Sequence, residues 1–112
     1  MSNYVNTLHR IDEAIDLDML HNLICYAIDD EQFVVLRRLN TLDYIQMAAM
    51  GQKFIVEYRH YLDEQNYQHY RYFVDEPAQA YPFFEQFYQQ QAITLHHWAD
   101  VSEQYRQYEQ DE

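Results

Sequence analysis

The chain contains 112 residues, of which 19 are acidic and 7 are lysine or arginine, so its formal net charge at pH 7 is −12. A negative field of this size repels nucleic acids and anionic membranes, and it accelerates encounter with a basic partner. With a single glycine, the chain has no glycine-rich loop of the kind that binds phosphate groups. We therefore expect a basic protein partner, with solubility alone as the competing interpretation of the charge.

The length predicts one domain over residues 1–112, large enough for a core but small for an elaborate active site. Its 12 tyrosines and 6 phenylalanines are the unusual part of the composition. A tyrosine ring provides apolar contact area and a polar tip, which suits a half-exposed sheet or a protein interface. The competing interpretation is that many of these rings line the edge of a small core.

Secretion and membrane insertion are not indicated by the sequence. Residues 1–14 lack the basic start and the apolar core of a signal peptide. No window approaches the ~18 consecutive apolar residues of a membrane span. Cys25 is the only cysteine, so an internal disulfide is excluded, and its apolar surroundings predict a small buried side chain rather than a nucleophile. We expect a soluble, cytoplasmic protein.

The first part of the chain predicts one helix. Residues 1–10 show only weak alternation and fit an arm, a short strand or a first helical turn. Over residues 12–28, apolar residues recur at helical steps, and acidic residues near the start favour a helix through its dipole. The apolar positions of this pattern are Ile11, Ile15, Leu20, Leu23, Ile24 and Ala27. The acidic run at residues 29–31 then ends the helix, as a solvated connection or as a binding patch.

The middle of the chain predicts an antiparallel meander of about four strands. Residues 33–39 are rich in β-branched side chains, and residues 43–74 contain three aromatic and β-branched runs separated by a glycine turn and a polar loop. If residues 50–51 form a two-residue turn, Met47 lies opposite Phe54. One face of the sheet then carries Ile45, Met47, Phe54, Val56 and Tyr58. The other face carries Tyr44, Gln46, Ile55, Glu57 and Arg59.

The loops between these strands predict the remaining pairings. A loop at residues 63–65 places Glu57 opposite Arg71, an oppositely charged cross-strand pair that stabilises a sheet modestly. A tight turn after the first strand would place Leu36 opposite Ile45. A loop that differs by one residue would exchange the two faces of that strand, so its register is open.

A second helix follows the meander. Residues 75–77 supply a capping acid, another acid and a proline, which together are typical of a helix start. Pro82 lacks a backbone donor, so the helix either begins near Tyr81 or kinks at this point. A run of glutamines at residues 89–91 ends the helix. Its apolar stripe, which should lie across the apolar sheet face, consists of Ala80, Phe84, Phe87 and Tyr88.

These elements predict an α+β fold, in which an antiparallel meander of about four strands is packed on one face by an N-terminal helix and a C-terminal helix. Trp98 is expected to fill an edge of the core. Residues 1–10 form an arm or a short first element, and residues 104–112 form a polar, acidic tail that is helical and frays. No linker or internal repeat divides the chain.

No group of residues has the spacing of a catalytic or metal site. The histidines at residues 96–97 are adjacent, so they point to different faces, and no other ligand stands at a suitable spacing. His60 and His69 could approach each other across the second hairpin, although solvated side chains at a strand edge are the simpler interpretation. The acid pairs at residues 63–64 and 75–76 occupy a loop and a helix start, where acids are common for other reasons. We predict that the protein is not an enzyme and has no metal or cofactor.

The order of these elements is accompanied by two short pieces, YIQ at residues 44–46 and VEYR at residues 56–59. With them, residues 12–88 resemble bacterial immunity proteins, the small cytoplasmic proteins encoded beside polymorphic or contact-dependent growth-inhibition toxins. The resemblance implies stoichiometric inhibition, in which the protein binds the catalytic domain of its cognate toxin, often a basic nuclease, and blocks access of the substrate. It implies no catalytic residues.

Two surfaces are candidates for contact with such a partner, because an acidic, tyrosine-rich surface can compete with phosphates for lysine and arginine side chains. The first is the sheet face opposite the helices with its adjoining loop: Tyr44, Gln46, Glu57, Tyr61, Asp63, Glu64 and Tyr67. The second is an acidic edge: Asp12, Asp16, Asp29, Asp30 and Glu31. An acidic adaptor or a nucleic-acid mimic without a toxin partner would have the same features. A small-ligand-binding domain is a third alternative, for which convergent polar groups are missing.

Overall fold

The computed structural model describes residues 3–39 and 41–110, and their fold is α+β, as predicted. In this part of the chain, an antiparallel seven-stranded sheet has the strand order β2-β1-β3-β4-β5-β6-β7. Its strands are β1 Asn3–Thr7, β2 Glu13–Ala14, β3 Phe33–Arg38, β4 Tyr44–Met50, β5 Lys53–Tyr61, β6 Tyr67–Val74 and β7 Ala99–Asp100. The helices are α1 Leu17–Cys25, α2 Ile28–Glu31, α3 Tyr81–Tyr88 and α4 Ser102–Gln110. The predicted meander forms the centre of the sheet, from β3 to β6.

The first hairpin of the meander is paired two residues away from its predicted register. Its turn lies one residue later, beginning at Gly51, so Met47 lies opposite Val56 and not opposite Phe54. Gly51 has a φ of +63°, a conformation that glycine adopts without steric cost and that two-residue hairpin turns require. Because the shift is an even number of residues, every side chain of the hairpin keeps its predicted face.

The pairing predicted for β5 and β6 is confirmed, and of the two registers left open for β3 the one with the tight turn is correct. Glu57 lies opposite Arg71 across β5 and β6, and Leu36 lies opposite Ile45 across β3 and β4. β1 pairs with β3 on one side and with the two residues of β2 on the other. Of the interpretations left open for the first ten residues, the short strand is therefore correct for Asn3–Thr7.

The N-terminal helix is shorter than predicted. It begins at Leu17 because Asp16 caps it, with Oδ1 accepting a hydrogen bond from the Met19 amide at 2.8 Å. The residues before it form β2, which leaves Ile11 85% exposed instead of on the core face of a helix. The acids at residues 12–16 that suggested a helix start lie at the sheet edge and at the cap.

The core lies between the first face of the sheet and helices α1 and α3. Removal of this apolar surface from water is the main favourable contribution to folding. The side chains with no exposed surface include Val5, Leu20, Ile24, Val34, Leu36, Ile45, Met47, Val56, Phe84 and Phe87. Three of the five side chains predicted for this face of the meander are thus fully buried, and Phe54 and Tyr58 pack against them.

The local structure before α3 accounts for Pro82. Pro77–Gln79 form a 3₁₀ turn, and the Gln79 side chain accepts hydrogen bonds from the amides of Asp75 and Glu76 at 3.0 and 2.9 Å. α3 itself begins later, so Pro82 lies in its first turn, where no backbone donor is needed. Of the two alternatives, the late start is correct, and the helix ends before the glutamine run, as predicted.

Trp98 closes an edge of the core in the segment between α3 and α4. Its ring stacks on Tyr72 with centroids 5.6 Å apart and lies edge-on to Phe83 at 5.1 Å. These aromatic contacts confirm the predicted position of the indole. β7 follows directly and pairs with β6.

Helix α4 packs on the second face of the sheet, where the sequence predicted only a helical tail. The Ser102 hydroxyl accepts a hydrogen bond from the His69 amide at 2.8 Å, and Arg106 donates to the Tyr67 carbonyl at 2.6 Å. The predicted helical character is correct, but the helix is a packed layer of the fold. None of the helices in the described part of the chain combines the length and the apolar character needed to cross a bilayer.

Candidate functional site

The second face of the sheet divides into two parts of unlike chemistry. One part, which we call the covered half, contacts α4 and consists of Glu57, Arg59, His69 and Arg71. The other part lies nearer the β4–β5 turn, where cross-strand pairing aligns four side chains across β3 to β6. We call this line the apolar row, and it consists of Phe33, Ala48, Ile55 and Phe73.

Glu57 is the centre of the covered half and is 7% exposed. Its Oε2 accepts hydrogen bonds from the Tyr105 hydroxyl, from His69 Nε2 at 2.9 Å and from Arg71 at 3.4 Å. Its Oε1 accepts one from the side-chain Nε2 of Gln46 at 3.1 Å. Burial alone would raise the pKa of this carboxyl, but the hydrogen bonds from His69 and Tyr105 outweigh it and hold the pKa at about 2. Glu57 is therefore a buried carboxylate with both oxygens engaged.

His69 is fully buried, and its hydrogen bonds define its tautomer. Arg59 Nε lies 3.0 Å from Nδ1, and arginine can only donate, so Nδ1 carries no proton. Nε2 then carries the proton that is donated to Glu57. The expectation of a solvated histidine at a strand edge is thus wrong for His69, because α4 covers it. His60 lies opposite Gln68 instead of approaching His69.

An open cleft lies at the opposite end of the sheet from the apolar row, where the β3–β4 and β5–β6 loops meet. Its volume is about 810 Å³. Leu42 on its wall and Leu62 in the adjoining loop are 52% and 62% exposed. The residues that line the cleft are Thr41, Leu42, Asp43, His60, Tyr61, Asp63 and Glu64. Exposed apolar side chains and carboxylates therefore share one concave surface.

Asp43 joins the two loops that form the cleft. Its Oδ1 accepts a hydrogen bond from the Tyr61 amide at 2.7 Å, and its Oδ2 lies 2.9 Å from His60 Nδ1. The Asp43 side chain is buried, whereas the His60 ring is partly exposed. Neither residue stands out in the sequence, since an acid before a strand is usually solvated and the pairing spans 17 residues.

Asp63 shapes the second loop of the cleft. Its carboxylate accepts hydrogen bonds from the Asn66 side chain at 2.9 Å and from the amides of Gln65 and Asn66 at 2.8 and 2.9 Å. The hydrogen bond from the Asn66 side chain, followed by the one from the Gln65 amide, lowers the pKa of Asp63. This exposed acid therefore fixes the loop in addition to carrying charge.

The first predicted surface is divided by the fold. Three of its seven residues meet at the cleft: Tyr61, Asp63 and Glu64. Two are half-buried on the second face: Tyr44 and Gln46. Glu57 and Tyr67 are 7% and 5% exposed, and the Tyr67 ring faces the Arg59 guanidinium at 3.9 Å. These last two residues are occupied inside the protein, so they are not available as exposed contacts.

The predicted acidic edge is also divided. Four of its five residues are exposed: Asp12, Asp16, Asp29 and Asp30. Glu31 is 7% exposed and accepts hydrogen bonds from the Thr7 hydroxyl and from Arg10. Arg10 also pairs with Glu13, so a cation lies within this surface and offsets part of its charge. The expectation of an exposed acidic contact is wrong for Glu31.

Among the described residues, no group of three or more His, Cys, Asp or Glu side chains is arranged to hold a metal ion. A scan against protein-family models and searches of curated proteins and of solved structures found no match for the chain. The cleft is the candidate site because it brings Tyr61 and the exposed Leu42 together with the two exposed carboxylates of Asp63 and Glu64.

Proposed function

We propose that this protein is an immunity-type inhibitor, which binds the catalytic domain of a basic toxin, such as a nuclease, and blocks access of the substrate. The observation that carries the proposal is the cleft, where Leu42 and Tyr61 lie beside the carboxylates of Asp63 and Glu64. Interfaces of this type combine a desolvated apolar centre with charges that select the partner. An acidic surface of this form fits a cationic protein.

The distribution of charge supports a cationic partner. Among the described residues, five of the seven lysine and arginine residues form ion pairs with carboxylates: Arg10, Lys53, Arg59, Arg71 and Arg106. Within residues 3–39 and 41–110, neither Asp63 nor Glu64 is in such a pair. The surplus negative charge is thus free to attract the lysine and arginine side chains that a nuclease uses for phosphates.

Inhibition in this scheme needs no chemistry from the chain. Asp63 and Glu64 compete with substrate phosphates for the cations of the toxin, while Tyr61 and the exposed leucines supply apolar contact that holds the complex together. The hydrogen bonds of Asp43 and Asp63 hold the two loops in one conformation before binding, which lowers the entropic cost of forming the complex.

Co-expression with the product of the neighbouring upstream gene tests the proposal. The expected result is that this product stops growth alone, that growth is restored by the chain, and that the two proteins co-purify in a stoichiometric complex. A product that is harmless alone would contradict the toxin partner, and a harmless product that still co-purifies would favour an adaptor. Failure to co-purify with a toxic product would contradict the binding itself.

A pair of charge-matched variants locates the contact. Asp63→Asn/Glu64→Lys keeps an oxygen that accepts the loop hydrogen bonds, and Asp29→Asn/Asp30→Lys makes the same change in net charge at the acidic edge. The cleft variant should slow association with the toxin domain by about tenfold at low salt, because rim charges act mainly on the on-rate. Equal effects of the two variants would remove the cleft from the site, and a larger effect of the second would assign the contact to the acidic edge.

A further inference from the structure

The apolar row is an exposed apolar surface on a small, strongly charged protein. Phe73 is 46% exposed, and Phe33 and Ile55 are half-buried. The small side chain of Ala48 lies between Phe33 and Ile55, and these residues border a hollow of about 250 Å³. Contiguous exposed apolar surface with a concave centre is typical of an interaction site.

The contacts that attach α4 to the covered half do not account for the exposed apolar row. Helix α4 contacts the covered half through Ser102 and Tyr105, and Arg106 donates to the carbonyl of the neighbouring Tyr67. The short helix α2 contacts β3 and β4, yet Phe73 stays 46% exposed and the hollow beside Phe33, Ala48 and Ile55 is unfilled by the described residues. The row is therefore open to a partner.

The chemistry of the hollow decides which side chain it would accept. Glu57 is the only ionisable residue among those that line it. Its oxygens already accept four hydrogen bonds, and the ion pair with Arg71 offsets its charge. An incoming lysine or arginine would lose its hydration without gaining a free carboxylate. The hollow therefore suits an uncharged, apolar or aromatic side chain.

The charge around the row decides which kind of partner carries that side chain. Asp75 and Glu76 shortly follow Phe73 and are both exposed. Lys53 pairs with Asp75 at 3.4 Å, and among the described residues no ion pair offsets the charge of Glu76. A second copy of the chain would bring another net charge of −12 to the same place, which disfavours self-association. Charge complementarity favours a cationic protein.

We propose that the apolar row is a second contact surface, which anchors one large apolar or aromatic side chain of the basic protein partner in the hollow over Ala48. This inference rests on the proposed function, because it names the same toxin domain as the occupant. The two surfaces affect different rate constants. The charges of the cleft raise the association rate, and the desolvated side chain in the row lowers the dissociation rate.

Two variants and a control test the anchor. Phe73→Ser removes an exposed wall of the row, and Ala48→Phe fills the hollow without deleting any apolar surface. Ile11→Ser is the control, since Ile11 is 85% exposed and lies outside the row. Each variant is first checked for cooperative thermal unfolding, so that lost binding is not mistaken for lost structure.

The measurement is the kinetics of binding to the purified toxin domain by surface plasmon resonance at two salt concentrations. Both row variants should raise the dissociation rate by about tenfold or more, with the association rate and its salt dependence unchanged. Ile11→Ser should dissociate like the wild type. Dissociation rates that are unchanged in both row variants would overturn the anchor while the proposed function stands.

Two further outcomes separate the alternatives. If the wild type itself does not bind the toxin domain, the proposed function fails and the anchor, which names that partner, fails with it. Sedimentation of the chain alone tests the remaining occupant. A concentration-dependent dimer that the control Ile11→Ser retains and Ala48→Phe abolishes would assign the row to a second copy and overturn the anchor.

Discussion

The covered half and the apolar row lie on one face of one sheet, yet they reverse the usual distribution of side chains. In the covered half, Glu57, Arg59 and His69 are each less than a tenth exposed. In the apolar row, a phenylalanine is 46% exposed. Buried ionisable groups and exposed apolar surface are both unusual, and each needs a specific reason. The reason differs between the two.

The covered half is best explained by folding. Its carboxylate, imidazole and guanidinium groups satisfy one another and hold α4 through Tyr105, so that helix needs few apolar contacts of its own. The apolar row has no such internal use. A single face can therefore devote one half to attaching a polar helix and leave the other for a partner.

The largest expected effect comes from removing the carboxylate of the covered half. Glu57→Ala leaves Arg71, His69 and Tyr105 without their common acceptor, and breaking a buried ion pair in this way costs about 3–5 kcal/mol of unfolding free energy. Urea denaturation measures this loss. Phe73→Ser in the apolar row is the matched control and should lower the free energy by only about 1–2 kcal/mol, because about half of the ring is already in contact with water. Similar losses of unfolding free energy in both variants would contradict the claim that the covered half serves folding and the apolar row does not.

The second prediction concerns pH. Because the folded protein holds the pKa of Glu57 at about 2, below its usual value of 4.5, the carboxylate contributes stability that is complete above about pH 4.5. That stability is lost as the pH falls from about 4.5 to about 2. The unfolding free energy of the wild type should therefore fall more steeply over this interval than that of Glu57→Gln, by roughly 3 kcal/mol in total. Parallel curves for the two proteins would contradict the proposed state of Glu57.

The third prediction separates attachment of α4 from overall stability. Tyr105→Phe removes one hydrogen bond to a charged acceptor and should cost about 1.5 kcal/mol. Amide hydrogen exchange should accelerate mainly in α4, because local opening of this helix becomes easier. The apolar row and the cleft should exchange as before. Acceleration spread evenly over the sheet would show that α4 is not a separable layer.

Much of the fold could be predicted because side-chain periodicity fixes faces. Ile45, Met47 and Val56 were assigned to the core by alternation alone, and a turn misplaced by one residue moved the pairing by two, which leaves the faces intact. The helix start at Leu17 was harder to predict, because Asp16 can cap a helix or extend a helical acidic run equally well. Asp16 caps the helix because the residues just before it form β2, which pairs with β1.

The candidate site was less predictable than the fold. Tyr61, Asp63 and Glu64 were identified because a polar loop between strands is exposed wherever it lies. Glu57 and Tyr67 looked the same in the sequence as exposed residues of a sheet face, and only the return of the polar α4 buries them. The hollow over Ala48 depends on side chains from neighbouring strands, so no local pattern marks it.

The most direct test is a methyl-labelled NMR titration of the chain with the toxin domain, which reports on both ends of the second face at once. The methyl groups of Leu42 and Leu62 at the cleft and of Ile55 in the apolar row should show the largest shifts. Those of Val101, beside the covered half, should stay in place, because α4 remains attached in the complex. Large shifts at Val101 with none at Leu42, Leu62 and Ile55 would contradict the proposed binding surfaces.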